Sequence, residues 1–317
     1  MQCVPDELHD ALLAASTRDG VVECRFRGAV VALDADGSVR LSLGRPEAPV
    51  YGRSANKPMQ GAAMIRLGLN VPADLLAVVV ASHSGEDSHV EQVRRLLGIG
   101  GLSDADLQNT PFAPMGEQAR AAMYRRGGSP SALTGDCSGK HAGMLVTSVH
   151  NGWPLEHYLR ADHPVQQEIT RTIAQLSGEA ASFIGTDGCG APAHGLSLIG
   201  LARAYACIAK EQGEVYRAMV GHPYLVGGHD RPVTRLMEAL PGLMAKDGAD
   251  GVFAAAFPDG RAVAVKIADG AAAPRVPVTL AALQVLGVDI GPAGHLASVP
   301  VMGGGRTVGQ LRALVLA

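Results

Sequence analysis

No Lys/Arg-rich run longer than an arginine pair occurs in the sequence, whose charged residues make up only 18 % with a net charge of -3. The electrostatic footprint of a nucleic-acid or anionic-membrane binder is therefore missing, and small, soluble partners are expected instead. Long apolar stretches are missing too: the longest, such as "LLAVVVA" at 75 to 81, are far too short to span a bilayer. The opening "MQCVPDELHD" lacks a basic start followed by an apolar stretch, so no secretion signal is read and a cytoplasmic protein is expected. Five cysteines, an odd number without any C-x-x-C spacing, argue against a disulfide framework and direct attention to thiol reactivity or metal binding. No charged or low-complexity linker divides the 317 residues, so residues 1–317 read as a single composite domain.

Glycine, by contrast, is plentiful at 40 residues, which fits many tight turns and close backbone approaches. Strands are expected at 21–32 and 38–43, joined by the turn "DADG". Apolar residues at three- and four-residue intervals predict helices at 58–68, 88–97, 116–126, 139–149, 164–176, 197–219 and 231–239. The period then changes. "GLMAKDGADG" reads as a strand and turn, and "VFAAAF" and "RAVAVKIA" flank "PDG" as a hairpin. A helix near 278–286 and a final strand in "RTVGQLRALVLA" complete the pattern. The expectation is an α+β fold: an antiparallel sheet from strands at about 21–43 and 241–317, covered by a helical region at about 54–240.

The stretch "RSANKPMQ", residues 53 to 60, sets Ser54 and Lys57 three positions apart. In a helix they share one face, close enough for an amine to take a hydroxyl proton. A free lysine is protonated at neutral pH, so such a base needs burial or a neighbouring cation. Lys266, in "VAVKIADG", is one candidate for that cation. Pro58 biases Lys57 away from helical angles, and the competing reading makes Ser54 a cap and Lys57 a solvated side chain. In "VVVASHSGEDSHV", residues 78 to 90, an apolar run, strand-like or a buried helix, ends abruptly at Ser82, His83 and Ser84, which would hold a polar group out at the end of a rigid element. A helix N-cap is the alternative there. The strand–helix–strand layout resembles the serine β-lactamases and penicillin-binding proteins, whose nucleophilic S-x-x-K opens a helix and whose "KTG" lies on a late strand.

Two glycine-rich loops hold cysteines. "LTGDCSGKHAGM" packs Cys137, Lys140 and His141 together, and "IGTDGCGAPAHG" offers Asp187, Cys189 and His194. Two such loops meeting in space could bind one soft divalent metal, or could simply bury two free thiols. Ligand chemistry alone ranks His141 ahead of Lys140, because a lysine must lose its proton to coordinate. Cys3, Cys24 and Cys207 need no role beyond packing.

In order along nearly the whole chain, "RSANKPMQ", "ASHSGE", "GDCSGKHAGML", "TDGCGAP", "HPYLVGG" and "VAVKIADG" resemble the asparaginase II family of inducible rhizobial type, also called class 3. The resemblance implies a serine β-lactamase-like fold, a homodimer, and L-asparagine hydrolysis by two Ser/Lys pairs. Those pairs would be Ser54 with Lys57 and Ser82 with Lys266. It implies zinc held by Cys137, Lys140 and Cys189, and so selects Lys140 over His141. Arg53, His83, Glu86 and Asp187 become the candidate substrate-binding residues. The charged "GGHDRPVTRLM" and the glycine-rich "PVMGGGRTVG" depart from the family pattern without touching these residues. Two other classes compete: a β-lactamase or peptidase relative, weakened by the missing "SDN", and a zinc-binding protein on an inactive scaffold.

Overall fold

Asp19 and Gly20 both take positive φ, as a type I′ turn requires, and fold strand β1 (Ala11–Arg18) back onto the long β2 (Val21–Leu33). The computed structural model describes residues 10–314. Strand β3 (Val39–Leu43) and the short β4 (Val50–Tyr51) follow. The helical middle begins with α1 (Lys57–Arg66), α2 (Ala73–Val79), α3 (Asp87–Ile99), α4 (Glu117–Arg125), α5 (Ser138–His150) and α6 (Pro164–Ser177). A hairpin of β5 (Phe183–Thr186) and β6 (Pro192–Leu196) interrupts it before α7 (Leu198–Glu211), α8 (Glu214–Gly221), α9 (Pro223–Val226) and α10 (Pro232–Ala239). The chain then returns to sheet with β7 (Met244–Asp247), β8 (Val252–Ala256) and β9 (Ala262–Ile267), crosses in α11 (Arg275–Val285), and ends with β10 (Ser298–Gly303) and β11 (Arg306–Ala313).

The main sheet is antiparallel throughout, in the order β10-β11-β1-β2-β9-β8-β7, with β3 paired to β2. N-terminal and C-terminal strands therefore meet at its centre, as an α+β fold of the expected kind. Helices α7 and α11 pack on β2, β8 and β9. Every residue of β8 is buried, which is why "VFAAA" shows no polar alternation. The first half of β2 lies beyond this cover and is exposed, whereas Gly28–Leu33 is buried. Among the described residues, no helix is long and apolar enough to cross a membrane.

One open reading is decided and one expected element differs. The run "LLAVVVA" lies mainly in α2, buried along most of its length, so it carries no amphipathic period. The expected single helix at 197–219 is two, broken where Gln212 turns left-handed at φ 48° and Gly213 follows. Cys24 and Cys207 are exposed free thiols, and the Cys3 reading lies outside the described residues.

Candidate active site

Residues Arg53–Asn56 form a 3-10 turn that runs straight into α1. Lys57 is helical, at φ -59° and ψ -37°, despite the proline that follows. Pro58 is tolerated because the first helical turn leaves its N–H positions unpaired anyway. Ser54 and Lys57 thus sit one turn apart, Ser54 half-buried and Lys57 buried. The turn is anchored on β6, since Gly52 N and Asn56 Nδ2 both donate to the carbonyl of His194, at 3.2 and 3.1 Å. Gly52 is required there: a Cβ would stand 2.1 Å from Asn56 Oδ1.

The end of α2 delivers Ser82 to the same place. Lys57 Nζ donates to Ala81 O at 2.5 Å and to Ser82 Oγ at 3.0 Å, and forms an ion pair with Asp136 at 3.7 Å. The lysine of the first motif is therefore bonded to the serine of the second. His83 is wholly buried behind Ser82. Its Nδ1 accepts from Gly85 N at 3.1 Å, which leaves Nε2 to donate to Ser138 Oγ at 2.9 Å. Burial, then the nearby His89 and Lys57, push its pKa well below the ordinary histidine value, so it is a neutral brace.

Glycine spacing explains how the cysteines reach this point. In "CSGKHAG", a Cβ on Gly139 would lie 2.2 Å from Val78 O, and one on Gly143 2.9 Å from a Val79 methyl. Only glycines let α5 approach α2 so closely, and that approach sets Cys137 and Lys140 beside Ser82 and Lys57. Cys189 comes from the tight β5–β6 turn, closed by Asp187 N to Ala191 O at 2.9 Å. Cys137, Cys189 and Ala191 form a small buried cluster of their own. Lys140 Nζ donates to Cys189 Sγ at 3.2 Å. The hydrogen bond between the two thiols holds Cys189 far below its ordinary pKa and, with burial, raises that of Cys137. Burial opposes the charge on Lys140, but Cys189, Cys137 and Asp187 outweigh it and raise its pKa.

His141 joins the cluster from the next position. Its ligand atom and the two sulfurs lie within 4.8 Å of one another. Its Nδ1 meets Tyr158 Oη at 2.8 Å, while the buried Nε2 has no hydrogen-bond partner. Burial, then repulsion by Lys140, lowers its pKa to about 4, which keeps the imidazole neutral.

A cleft of about 130 Å³ joins these parts, lined by Arg53, Ser54, Lys57, Asp136, Asp187 and the two cysteines with Lys140. Arg53 holds Asp187 Oδ1 through Nε and Nη2, at 3.0 and 2.9 Å, and pairs through Nη1 with Asp250. Its backbone is left-handed, at φ 49°, immediately before Ser54. A larger hollow of about 470 Å³ lies between α3 and α4, yet no lysine, histidine or cysteine lines it. The titratable and thiol groups gather in the smaller cleft. A family model described as L-asparaginase II matches residues 14–313, nearly the whole chain.

The chain belongs to the L-asparaginase II family.

No curated protein matches the sequence. Membership makes the chain an asparaginase-type hydrolase, an amidohydrolase acting on a small molecule. For this L-asparaginase II chain, three of the expected site residues are placed differently from their assigned roles. Lys266, expected beside Ser82, instead donates to the carbonyls of Asp250, at 2.7 Å, and of Ile267 and Ala268. It ties down the β7–β8 turn from behind. The cation that the fold sets near Lys57 is Lys246, fully buried on β7, its pKa lowered to about 8 by burial and by repulsion from Lys57 against the pull of Asp247. A signal for it was present: "KDG" at 246–248 keeps the Lys-x-Gly spacing of "KTG", which "KIADG" does not.

Glu86 is the second displaced residue. It caps α3 in a capping box with His89, and its carboxylate accepts from Tyr224 Oη and His229 N, both at 2.8 Å, so it faces away from the cleft lining. His83, the third, has no surface with which to touch a substrate. Sequence reading also missed Asp136 and Phe112, both of which line the cleft. Asp136 precedes the "CSGK" motif directly and could have been named from that adjacency; nothing local marks Phe112.

Proposed function

We propose that the protein hydrolyses the side-chain amide of L-asparagine to L-aspartate and ammonia through an acyl-enzyme on Ser54. The observation that carries this reading is the Lys57 Nζ to Ser82 Oγ contact of 3.0 Å, with Ser54 facing the cleft one helical turn away. Uncharged Lys57 takes the Ser54 proton, directly or through Ser82, and the Ser54 oxygen bonds to the amide carbon. Backbone N–H groups stabilise the developing oxyanion. The proton passes from Lys57 to the leaving nitrogen, ammonia departs, and water then releases aspartate by the reverse transfer. Arg53 and Asp187 offer opposite charges for the substrate's α-carboxylate and α-ammonium groups.

The experiment is an ammonia-release assay with asparagine and glutamine, run beside nitrocefin hydrolysis. Ammonia from asparagine without nitrocefin turnover is the expected result. Nitrocefin turnover alone would replace this reading with a β-lactamase-like one, and silence in both would leave an inactive scaffold. Asparagine and glutamine differ by one methylene, a discrimination of about 1 to 3 kcal/mol in a simple pocket, so glutamine turnover within about 200-fold is compatible with the site.

The buried donors fit a zinc ion: two thiols, with the pKa of Cys189 lowered, and Lys140 and the orphaned Nε2 of His141 as nitrogen donors. Cys137, Lys140 and Cys189 would hold it, with His141 completing four. Bound there, zinc would lock the α5 start to the β5–β6 turn and add positive charge to one wall of the cleft. Hydroxide generation is not required, because the Ser/Lys machinery already supplies a nucleophile. One zinc per chain is expected by elemental analysis. Cys189→Ser should bind it at least about tenfold more weakly and melt several degrees lower. A metal-free wild-type sample with unaltered melting, KM and kcat would remove the bracing role.

A further inference from the structure

Only five lysines occur in the chain, and Lys57, Lys140, Lys246 and Lys266 all lie in or around the cleft. Lys246 differs from the others in its partner. Its Nζ donates to the backbone O of Asp247 at 2.7 Å and to Oδ1 of the same residue at 2.6 Å. The second oxygen, Oδ2, accepts from Arg231 Nη2 at 2.7 Å. One buried carboxylate is thus divided between two cations, each on its own oxygen. The strand end is fixed as well, because Arg275 Nη1 donates to Gly248 O at 2.6 Å. A Cβ on Gly248 would stand 2.9 Å from Gly52 O and 3.3 Å from Ala55 N, so this segment packs directly on the turn that carries Ser54.

We propose that Asp247 is a positioning residue, which holds the Lys246 ammonium behind the Ser54 turn while Arg231, by occupying the other oxygen, limits how tightly it is held. The consequence for catalysis rests on the Ser/Lys reading above. A carboxylate devoted to Lys246 alone would cancel its charge; shared with Arg231, it leaves a net positive charge beside Lys57. Such a charge offsets the pull of the Asp136 carboxylate that pairs with Lys57 at 3.7 Å.

The groups facing Lys246 are Asp247 from its own strand, Arg231 from the segment before α10 and Lys57 from the start of α1. Arg275 of α11 acts on Asp247, which in turn raises the pKa of Tyr205 of α7, and His83 lies in the same field. Burial opposes the charge on Asp247, but Lys246, Arg231 and Arg275 outweigh it and hold the carboxyl far below its ordinary range, so it is anionic wherever the enzyme works.

The test is direct titration of Lys246 in protein labelled with 13C at lysine Cε, its signal assigned by loss in Lys246→Met. Removing the anion in Asp247→Asn should move the midpoint down by about one unit or more. Removing the competing cation in Arg231→Gln should move it up. Opposite signs are the signature, because a merely structural disturbance would move both the same way. Asp247→Asn should also lower kcat by about tenfold with KM changed less than about twofold, and the limb of the pH profile that follows Lys246 should move with the midpoint. Asp247→Glu should recover part of both. Unmoved midpoints, or shifts of one sign in both variants, overturn the proposal; should Asp247→Asn fail to fold, a midpoint that does not rise in Arg231→Gln overturns it alone. The titration needs no substrate, so a midpoint that moves as expected in a protein releasing no ammonia would sink the asparagine reading and leave the clamp standing.

Discussion

Ser54→Ala is expected to lower kcat for asparagine by at least about four orders of magnitude, the loss typical of removing a nucleophile that works as part of a unit. The side chain is half-buried and faces the cleft, and the change removes one oxygen from a surface that water can fill, so the melting temperature should stay close to wild type. The informative comparison is Ser82→Ala. Ser82 is buried against Lys57 and does not line the cleft, so it can pass a proton but is poorly placed to meet a substrate carbon. That variant should also be slow, yet quenched turnover mixtures should show the aspartyl mass increment on Ser54. In Ser54→Ala no adduct should form. An adduct on Ser82 in either protein would reverse the roles of the two hydroxyls.

The second large effect belongs to Lys57. Lys57→Met keeps the stem's bulk and removes the amine, and kcat should fall by roughly 10²- to 10⁴-fold, the usual worth of a positioned proton-transfer group. Some stability is lost as well: Ala81 O and Ser82 Oγ both lose their partner, at a cost of about 1 to 3 kcal/mol for each group left unsatisfied. Thermal melting beside the kinetics separates the two. Lys57→Arg is the sharper control, because a guanidinium keeps the charge and the donors but does not give up its proton in a protein. It should be as inactive as the methionine variant. More than about a tenth of wild-type turnover in Lys57→Arg would mean that residue 57 acts as a fixed cation, and the base would have to be sought elsewhere.

Much of this site was legible because its motifs are local. Ser54 and Lys57 lie within one turn, the two cysteine loops announce themselves by glycine, and the α+β layout follows from strands at both ends with helices between. What was not legible depends on contacts distant in sequence. The spacing of "RSANK" pairs Lys57 with Ser54, and only the packing of α2 against α1 gives Lys57 to Ser82 instead. Lys246 was passed over for Lys266, although both are single lysines on strands of one sheet with only β8 between them, because the strand that borders the Ser54 turn can be known only from sheet order. Two strands hid for chemical reasons. β10 contains Pro300, which reads as a strand breaker but is acceptable on the sheet edge that β10 occupies. β6, "PAHGL", begins with proline, contains glycine and is buried throughout, so neither composition nor alternation marks it.

Arg53 supplies a last consequence. Its main chain sits in a region that side chains other than glycine enter at a cost of about 1 kcal/mol or more, and it does so one residue ahead of Ser54, the proposed nucleophile. Glycine at that position would relax the kink and raise thermal resistance, while surrendering the guanidinium that ties Asp187 to Asp250. Heat tolerance and turnover therefore pull this one codon in opposite directions, and a library selected for survival at high temperature without an activity screen should drift away from arginine there.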